Sequence, residues 1–381
     1  MKSTCRAALA SHQFGHVGLT QFCAGMKPPP VAKDAYNKHL IKIEKAAKTS
    51  AEEVMKDAAK MLFGKVMSEC PDDIEEDGED LIAHKRGHSS KIGVIFLISV
   101  ATGEILNYEE KSLFCHECKA HNNQYHEGKE FQERKKAREP KCEVNHVGSS
   151  EEMEAVSAVD IFSRSIATRK LKYTTFVGDG DSSSFGRVKE ALDNKFGAAY
   201  EIKKEECVGH VQKRLGSGLR RYKNDMKGKK LLDGKSVGGK GRLTDKVIDT
   251  MQNYYDKAIW GNKGNLEGMR TTIKAIQHHM IKNDKLTPEQ QHQYCPKSSD
   301  TWCKYWKDKA DGTKLYNEDN QLPEVFMKQL DPLFTRLSND DLLRRCFKGM
   351  TQNRNEAANG VFWSKCPKTK FCGARRVGIA V

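Results

Sequence analysis

The stretch YTTFVGDGDSSSFGRVKEAL, residues 173–192, decides the fold class because it joins a compact apolar segment to an amphipathic one. β-Branched and aromatic residues fill positions 173–177 and favour a strand. Gly178 and Gly180 permit a sharp turn, and the serines that follow suit the start of a helix. The helix would carry an apolar face made of Phe185, Val188, Leu192 and Phe196. The stretch therefore predicts a strand, a turn and a helix in succession.

The flanking segments extend this unit into an α/β arrangement. The apolar run at residues 92–101, a short turn and a second strand-like segment predict an antiparallel hairpin. A helix with an apolar stripe is predicted over residues 149–170, and one further strand over residues 198–203. Two amphipathic N-terminal helices, split near Thr49 and Ser50, precede the hairpin. This order of elements indicates an α/β fold with a mixed sheet.

The second half of the chain has a different character. Residues 243–340 show helical periodicity and no convincing strand, and a glycine- and lysine-rich segment, residues 227–242, predicts a flexible loop before them. We expect four regions. They are an N-terminal helical region (1–70), an α/β core (71–226) with a cysteine- and histidine-bearing insert (115–146), a helical insertion (227–340) and a final helix region (341–381).

The charge balance favours a polyanionic partner. Lys and Arg number 65 against 51 Asp and Glu, a formal net charge of +14. Neutralising phosphates releases counterions, so DNA is the expected partner, although any one basic cluster can also be a solvated face. The candidate DNA-binding residues lie together in one basic cluster: Lys213, Arg214, Arg220, Arg221 and Lys223.

Other features limit the compartment and exclude a membrane partner. The N-terminal segment lacks the apolar core of a signal peptide, and the run at residues 92–101 is too short to span a bilayer. Twelve cysteines in 381 residues are too sparse for a disulfide scaffold. We expect a reducing compartment, in which cysteines close to histidines suggest zinc before disulfides.

Two carboxylates, Asp179 and Asp181, lie where the predicted strand ends. A glycine turn there can cradle phosphate, but Ser183 occupies the position of the third glycine in a dinucleotide fingerprint. Paired carboxylates at a strand end suit Mg²⁺, which takes oxygen ligands and leaves positions open for water and substrate. The plainer alternative is that each aspartate is a turn or helix-cap residue.

Further blocks along the chain carry a resemblance. They are KRGHSSKIGV (85–94), EECVGHVQKRLG (205–216) and TQNRNEAANGVFW (351–363). With Asp179, the spacing Cys207-x2-His210 and Glu356 in that order, the chain resembles the Mutator-like DDE transposases over residues 24–381.

The resemblance implies a ribonuclease H-like fold and a nuclear, multimeric DNA transposase. In that family three carboxylates hold two divalent ions, Mg²⁺ or Mn²⁺, for in-line displacement at a phosphodiester. By motif, Asp179 is the second carboxylate, with Asp181 as its less favoured stand-in, and Glu356 is the third. The Cys207 and His210 pair matches the family's Cys-x2-His, for which a packed buried pair is the alternative role.

The first carboxylate is the point of departure from the family. There it ends the first strand, just before the KRGHSS segment, whereas here an acidic loop leads directly into that segment. Asp77 and Asp80 lie nearby, but neither sits in an apolar run. We therefore expect the first strand to be missing, cleavage to be impaired, and the terminal helical region to be truncated. A non-catalytic DNA-binding protein, or a zinc-stabilised interaction protein, is the alternative.

Two groups of cysteine and histidine residues have spacings compatible with tetrahedral zinc. The first combines Cys115-x2-Cys118 with Cys142, and its fourth ligand is His146, His126 or His121. The second lies in the helical insertion and consists of His279, His292, Cys295 and Cys303. Reduced thiols in a loop, or scattered surface and core residues, are the alternatives for the two groups.

Overall fold

The chain has a mixed α/β structure that separates into two compact units. One, the α/β unit, comprises Met1–Phe176, Ser182–Lys203 and Gln352–Val381; the other, the helical unit, comprises Val177–Asp181 and Lys204–Thr351. A computed structural model describes residues 20–21, 32–69, 77–78, 80–83, 91–115, 118–120, 129–178, 183–297, 301–316, 321–366 and 373–380.

The described residues form seven strands, and the strand predicted over residues 198–203 lies instead at Lys203–Glu206. In chain order they are β1 (Asp77–Gly78), β2 (Asp80–Ala83), β3 (Ile92–Ser99), β4 (Ile105–Ser112), β5 (Lys172–Tyr173), β6 (Thr175–Gly178) and β7 (Lys203–Glu206). The predicted hairpin is confirmed, since β3 and β4 pair antiparallel around a turn in which Gly103 has a φ of +81°. β2 adds to the other edge of β3, β1 pairs parallel with β5, and β6 pairs with β7.

A strand precedes the hairpin, so the expectation that the first strand is missing is wrong. β2 begins at Asp80, which lies opposite Ser99 in an antiparallel register with β3. The strand has four residues and starts with a charge, so its sequence carries no strand periodicity. Its conformation is specified by pairing with β3, which is buried along its whole length.

The helices are α1 (Lys33–Glu69), α2 (Lys129–Arg138), α3 (Glu152–Arg169), α4 (Ser183–Phe196), α5 (Val208–Asp225), α6 (Asp245–Trp260), α7 (Leu266–Met280), α8 (Pro288–Gln291), α9 (Lys304–Asp311), α10 (Val325–Leu337), α11 (Asp340–Arg345), α12 (Asn353–Lys365) and α13 (Ala374–Ala380). α1 is one helix of 37 residues where two were predicted. Thr49 does not break it, because its hydroxyl donates to the Lys45 carbonyl one turn earlier (3.0 Å).

β3 is covered on both faces within the α/β unit. Ile95 and Leu97 belong to a core that also contains Leu62 of α1 and Phe162 of α3. The alternate residues Val94, Phe96 and Ile98 face a second core, to which α12 contributes Phe362 and α13 contributes Val377. Strand side chains alternate between faces, so a strand that is apolar throughout requires helices on both sides.

Arg169 ties α1 to α3 and β4 inside this unit. The residue is 6% exposed, and its guanidinium donates two hydrogen bonds to the Glu52 carboxylate, at 2.6 and 2.8 Å. Its Nε donates to the Leu106 carbonyl at 2.6 Å. The hydrogen bond from Arg169 holds the pKa of Glu52 below its ordinary value of 4.5.

Replacing Arg169 with methionine should lower the free energy of unfolding of the α/β unit by about 2 kcal/mol at neutral pH, because the Glu52 and Leu106 acceptors lose their donor. Since the pKa of Glu52 is lowered in the folded state, its ion pair stabilises above pH 4.5 and weakens as the pH falls through the lowered pKa. Urea unfolding followed by circular dichroism should therefore show a smaller difference from wild type in acid. Lys60→Met, at an exposed pair with Asp57, is the control and should change stability little. An equal loss of unfolding free energy at neutral and at acidic pH would contradict the ion-pair explanation.

The helical unit is built around one core supplied by α5, α6, α7, α10 and α11. The Tyr255 hydroxyl of α6 donates to the Leu337 carbonyl at the end of α10 (2.6 Å). Burial raises the pKa of the Tyr255 phenol, so it stays a donor. The segment at residues 227–242 differs from the flexible loop that was predicted, because Leu231 and Val237 are buried in this core.

Candidate metal centre

Four side chains of the helical unit meet in its core. His279 lies near the end of α7, His292 directly follows α8, and Cys303 directly precedes α9, while Cys295 lies between the last two. All four are buried, and one donor atom from each lies within 4.8 Å of the others. The structure thus brings together the whole second group predicted from sequence.

The separations of the donor atoms match a tetrahedral zinc site. His279 Nδ1 and His292 Nδ1 are 3.0 Å apart, and the Cys295 Sγ lies 3.6 and 3.7 Å from these two nitrogens. Cys303 Sγ lies 3.7 Å from His292 Nδ1. With ordinary zinc bond lengths, a regular tetrahedron places nitrogen and sulfur about 3.6 Å apart and two nitrogens about 3.3 Å apart.

Local structure fixes three of the ligands on one short segment. α8 starts with a capping box in which Thr287 and Gln290 bond reciprocally, so the helix ends at His292 in a defined orientation. Cys295 follows one turn later, and its backbone N–H donates to the His292 carbonyl at 3.0 Å. The Thr301 hydroxyl accepts from the Cys303 backbone N–H at 3.1 Å, which orients the start of α9.

A shell of aromatic rings and amides surrounds the four ligands. The Tyr305 ring stacks on His292 with centroids 4.8 Å apart, and Tyr254 meets His279 edge-on. Trp306 Nε1 donates to the His292 carbonyl at 2.8 Å, and Gln321 Nε2 donates to the His279 carbonyl at 3.0 Å. These neighbours hold the ligand-bearing backbone and exclude water, as expected of a closed structural site rather than an open catalytic one.

The electrostatics of the group suit a cation. The hydrogen bond with the Cys295 thiol, and then those with the two histidines, lower the pKa of Cys303, and the same thiol pairing raises the pKa of Cys295. Burial lowers the pKa of His279, which favours neutral imidazole. Thiolate and neutral imidazole are the protonation states in which these residues bind metal, and a buried thiolate without a counter-charge is costly.

A smaller group in the α/β unit contains Cys115, Cys118 and Cys142. Cys118 Sγ and Cys142 Sγ are 3.5 Å apart, and burial with the neighbouring thiols raises the pKa of Cys118 to about 11. His146 is not among the residues that meet there, because its Nε2 bonds to the Ser149 carbonyl at 3.2 Å. The other two predicted alternatives for the fourth ligand, His121 and His126, lie outside the described residues.

Of the three predicted catalytic carboxylates, the structure describes Glu356 and not the other two. Asp179 and Asp181 lie outside the described residues, directly after the end of β6. Glu356 is exposed and lies in the first turn of α12, which contacts both β2 and β3. Two residues hold the start of this helix: Arg354 donates to the Val100 carbonyl (3.0 Å) and Asn355 to the Phe96 carbonyl (3.4 Å).

The same end of β3 therefore carries two acidic positions of the α/β unit. Val100 directly follows β3, and Ser99, its last residue, faces Asp80 at the start of β2. The α12 helix begins beside this strand end, with Glu356 in its first turn. The sequence analysis did not predict β2. The one relevant sequence signal was that Asp80 lies shortly before the KRGHSS segment.

Cys207 and His210 form the first turn of α5. Cys207 is buried at the N-cap and accepts a backbone hydrogen bond from His210 at 2.9 Å. The Cys207 N–H donates to the Gly178 carbonyl at the end of β6 (3.3 Å). Neither residue belongs to a metal-binding group within the described residues, so the geometry supports a packed pair that positions α5.

Three of the five predicted DNA-binding residues make ion pairs within the helical unit. Arg214 donates to the fully buried Glu206 at 2.8 Å, Arg220 pairs with Asp249, and Lys223 pairs with Asp245 at 2.9 Å. Arg345 is a second partner of Glu206 that the sequence did not indicate. Lys213 and Arg221 are exposed. DNA contact by these five residues stays a prediction.

Comparison with models of protein families gives a match over most of the chain. The family model described as Mutator-like transposase matches residues 3–303, which include Asp80, Asp179 and all four ligands of the second group. Among curated proteins, none matches the chain. None of the described helices is both long and apolar enough to span a membrane.

Proposed function

We propose that this chain, which belongs to the Mutator-like transposase family, is a transposase-derived DNA-binding protein with metal-dependent DNA cleavage and strand transfer as its reaction. The observation that carries the proposal is the placement of Asp80 and Glu356 at one end of β3. In this proposal Asp80 and Glu356 are two of the three acidic positions that such an enzyme requires.

The architecture of the α/β unit supports a ribonuclease H-like fold. Three antiparallel strands are followed by a helix and then a strand parallel to β1, and helices cover both faces of β3. In such a fold the carboxylates come from the first strand, from the end of a later strand and from the last helix. Asp80 takes the first position in our proposal and Glu356 the third.

Asp179 enters the proposal by its motif, as the residue that follows β6. Carboxylate oxygens are the ligands that Mg²⁺ and Mn²⁺ prefer, and Glu356 is exposed at a helix start, where an ion and a phosphate have access. When bound, two such ions supply Lewis-acid stabilisation of the attacking and leaving oxygens. β2 supplies a strand before the hairpin, but Asp80 begins that strand and does not end it, so impaired cleavage stays a prediction.

The proposal includes a structural zinc ion bound by His279, His292, Cys295 and Cys303. Four buried donors at tetrahedral separations leave no position for substrate, and the surrounding aromatic shell fits a closed site. The cysteines of the α/β unit provide three donors of a second candidate site. A nuclear location and a multimeric state accompany the proposal because the substrate is DNA and two DNA ends must be joined.

The test is binding and cleavage of duplex DNA by the full chain. Fluorescence anisotropy with a labelled random duplex should give an affinity that falls steeply with added salt, because each neutralised phosphate contributes about 0.9 to the slope of log K against log[salt]. Supercoiled plasmid with Mn²⁺ should be nicked, and EDTA should abolish nicking. Salt-insensitive or absent binding would contradict the DNA-binding function. Binding without nicking would favour the non-catalytic alternative.

A further inference from the structure

The segment at residues 227–241, called here the lysine loop, carries an unbalanced positive charge in the helical unit. It contains five lysines and one acidic residue, Asp233. The five lysine side chains are all exposed: Lys227, Lys229, Lys230, Lys235 and Lys240. None of the five makes an ion pair with any residue that the structure describes. The charge of the loop is therefore available to an external partner.

The acidic residue of the loop is already neutralised. Asp233 pairs with the guanidinium of Arg242, which is buried, and this hydrogen bond holds the pKa of Asp233 below its usual value. Arg242 Nε also donates to the Ser236 carbonyl at 2.8 Å, and the guanidinium lies over the Phe326 ring at 4.9 Å. Five positive charges thus remain without a counter-charge in the loop.

The backbone of the loop has a defined path although it is rich in glycine. The backbone N–H of Leu231 donates to the Lys235 carbonyl and that of Gly234 to the Leu231 carbonyl, both at 2.8 Å. At the end of the segment, the backbone N–H of Leu243 donates to the Val237 carbonyl at 3.1 Å. Leu231 and Val237 anchor it in the core. Gly239 has a φ of +115°, which a residue with a side chain rarely adopts. Binding would then order lysine side chains on a backbone that is already held in place.

We propose that the lysine loop is a phosphate-contacting surface of the helical unit that binds the backbone of duplex DNA without reading its sequence. The inference rests on the proposed DNA-binding function. It assigns the main contact with DNA to the lysine loop instead of to the predicted basic cluster of α5. Three of the α5 cations are paired with Glu206, Asp249 and Asp245, so a phosphate would have to compete with those carboxylates. No carboxylate among the described residues pairs with the lysines of the loop.

The chemistry of the loop favours nucleic acid over a protein partner. Protein interfaces are depleted in lysine and depend on buried aromatic or apolar anchors. Leu232 is the single exposed large apolar side chain of the loop. Lysine acts on phosphate as a point charge without fixed geometry, which suits sequence-independent contact with a DNA backbone.

The experiment replaces all five loop lysines with glutamine in the full chain and measures duplex DNA affinity by fluorescence anisotropy at several salt concentrations. If three of the five contact phosphates, the salt slope should fall by about 2.7 and the affinity in 0.15 M salt by about 100-fold. Circular dichroism should show unchanged folding, because no ion pair is removed. The matched control replaces five exposed lysines elsewhere in the helical unit: Lys257, Lys285, Lys307, Lys314 and Lys328.

A loss of affinity and slope in the loop variant, with little change in the control, supports the assignment. An equal loss in both variants, or none in the loop variant while wild type binds DNA, overturns the lysine loop and leaves the proposed function standing. Wild-type protein that fails to bind DNA overturns both. A loop variant that keeps DNA affinity but loses binding to poly-glutamate overturns the assignment in favour of an acidic protein partner.

Discussion

Replacing Cys303 with serine should release one zinc ion per chain and abolish the cooperative unfolding transition of the helical unit. Structural zinc contributes about 10 kcal/mol or more to folding in small zinc-bound domains, comparable to the whole stability of a domain. Cys303 is fully buried with the other three ligands in the core of this unit, so its loss leaves a polar cavity and an open coordination position. His292→Ala should have the same effect.

The measurement combines zinc analysis of purified full-length protein with thermal unfolding followed by circular dichroism. Cys346→Ala is the matched control, because Cys346 is an equally buried cysteine of the same core that lies outside the metal-binding group. The control should keep its zinc and lose about 1 kcal/mol of stability through a small cavity. Zinc content and unfolding that are the same in the Cys303 variant and the control would refute the zinc centre. Recovery of the wild-type transition after zinc is removed by chelator and added back would support it.

Neutralising the proposed carboxylates should lower Mn²⁺-dependent DNA nicking by about 100-fold or more, since losing a metal ligand removes several kcal/mol of transition-state stabilisation. The variants are Asp80→Asn, Asp179→Asn and Glu356→Gln, which keep the side-chain volume and remove the negative charge. DNA affinity should be retained or rise slightly, because each change removes a charge that repels phosphate.

Asp77→Asn and Asp181→Asn are the neighbouring controls and should leave nicking within a few-fold of wild type. Loss of activity on Asp77→Asn with no effect of Asp80→Asn would transfer the first position to Asp77. Loss of nicking on Asp181→Asn with no effect of Asp179→Asn would assign the second carboxylate position to Asp181. Nicking that survives all three primary substitutions would refute the carboxylate assignment, whereas wild-type protein that binds DNA without nicking it would indicate the non-catalytic alternative.

The sequence was most informative where the pattern is long and apolar. The hairpin of β3 and β4, the helix α3 and the helix carrying Glu356 were all predicted from periodicity and turn residues. It failed at α1, where a polar pair was interpreted as a break. It also failed at β2, where four residues are held by a neighbouring strand and carry no pattern of their own.

Spacing alone named the four residues of the metal centre, but left open whether they were ligands or scattered residues. Cys295 and Cys303 are close in sequence to His292, whereas His279 belongs to a different helix, α7. Packing of that helix in the core brings its imidazole to 3.0 Å from that of His292. No local rule predicts such a distance.

The sequence by itself determined the family, the α/β and helical parts, the excess of positive charge and the identity of the candidate ligands. These properties depend on composition, periodicity and motif order, all of which are local or additive along the chain. The tertiary structure alone decided that Asp80 begins a strand, that the four candidate ligands share one core, and that the lysines of residues 227–241 have no carboxylate partner among the described residues while Arg214, Arg220 and Lys223 of α5 do. Each of these depends on residues far apart in the chain, and their approach is fixed by the burial of apolar side chains around them.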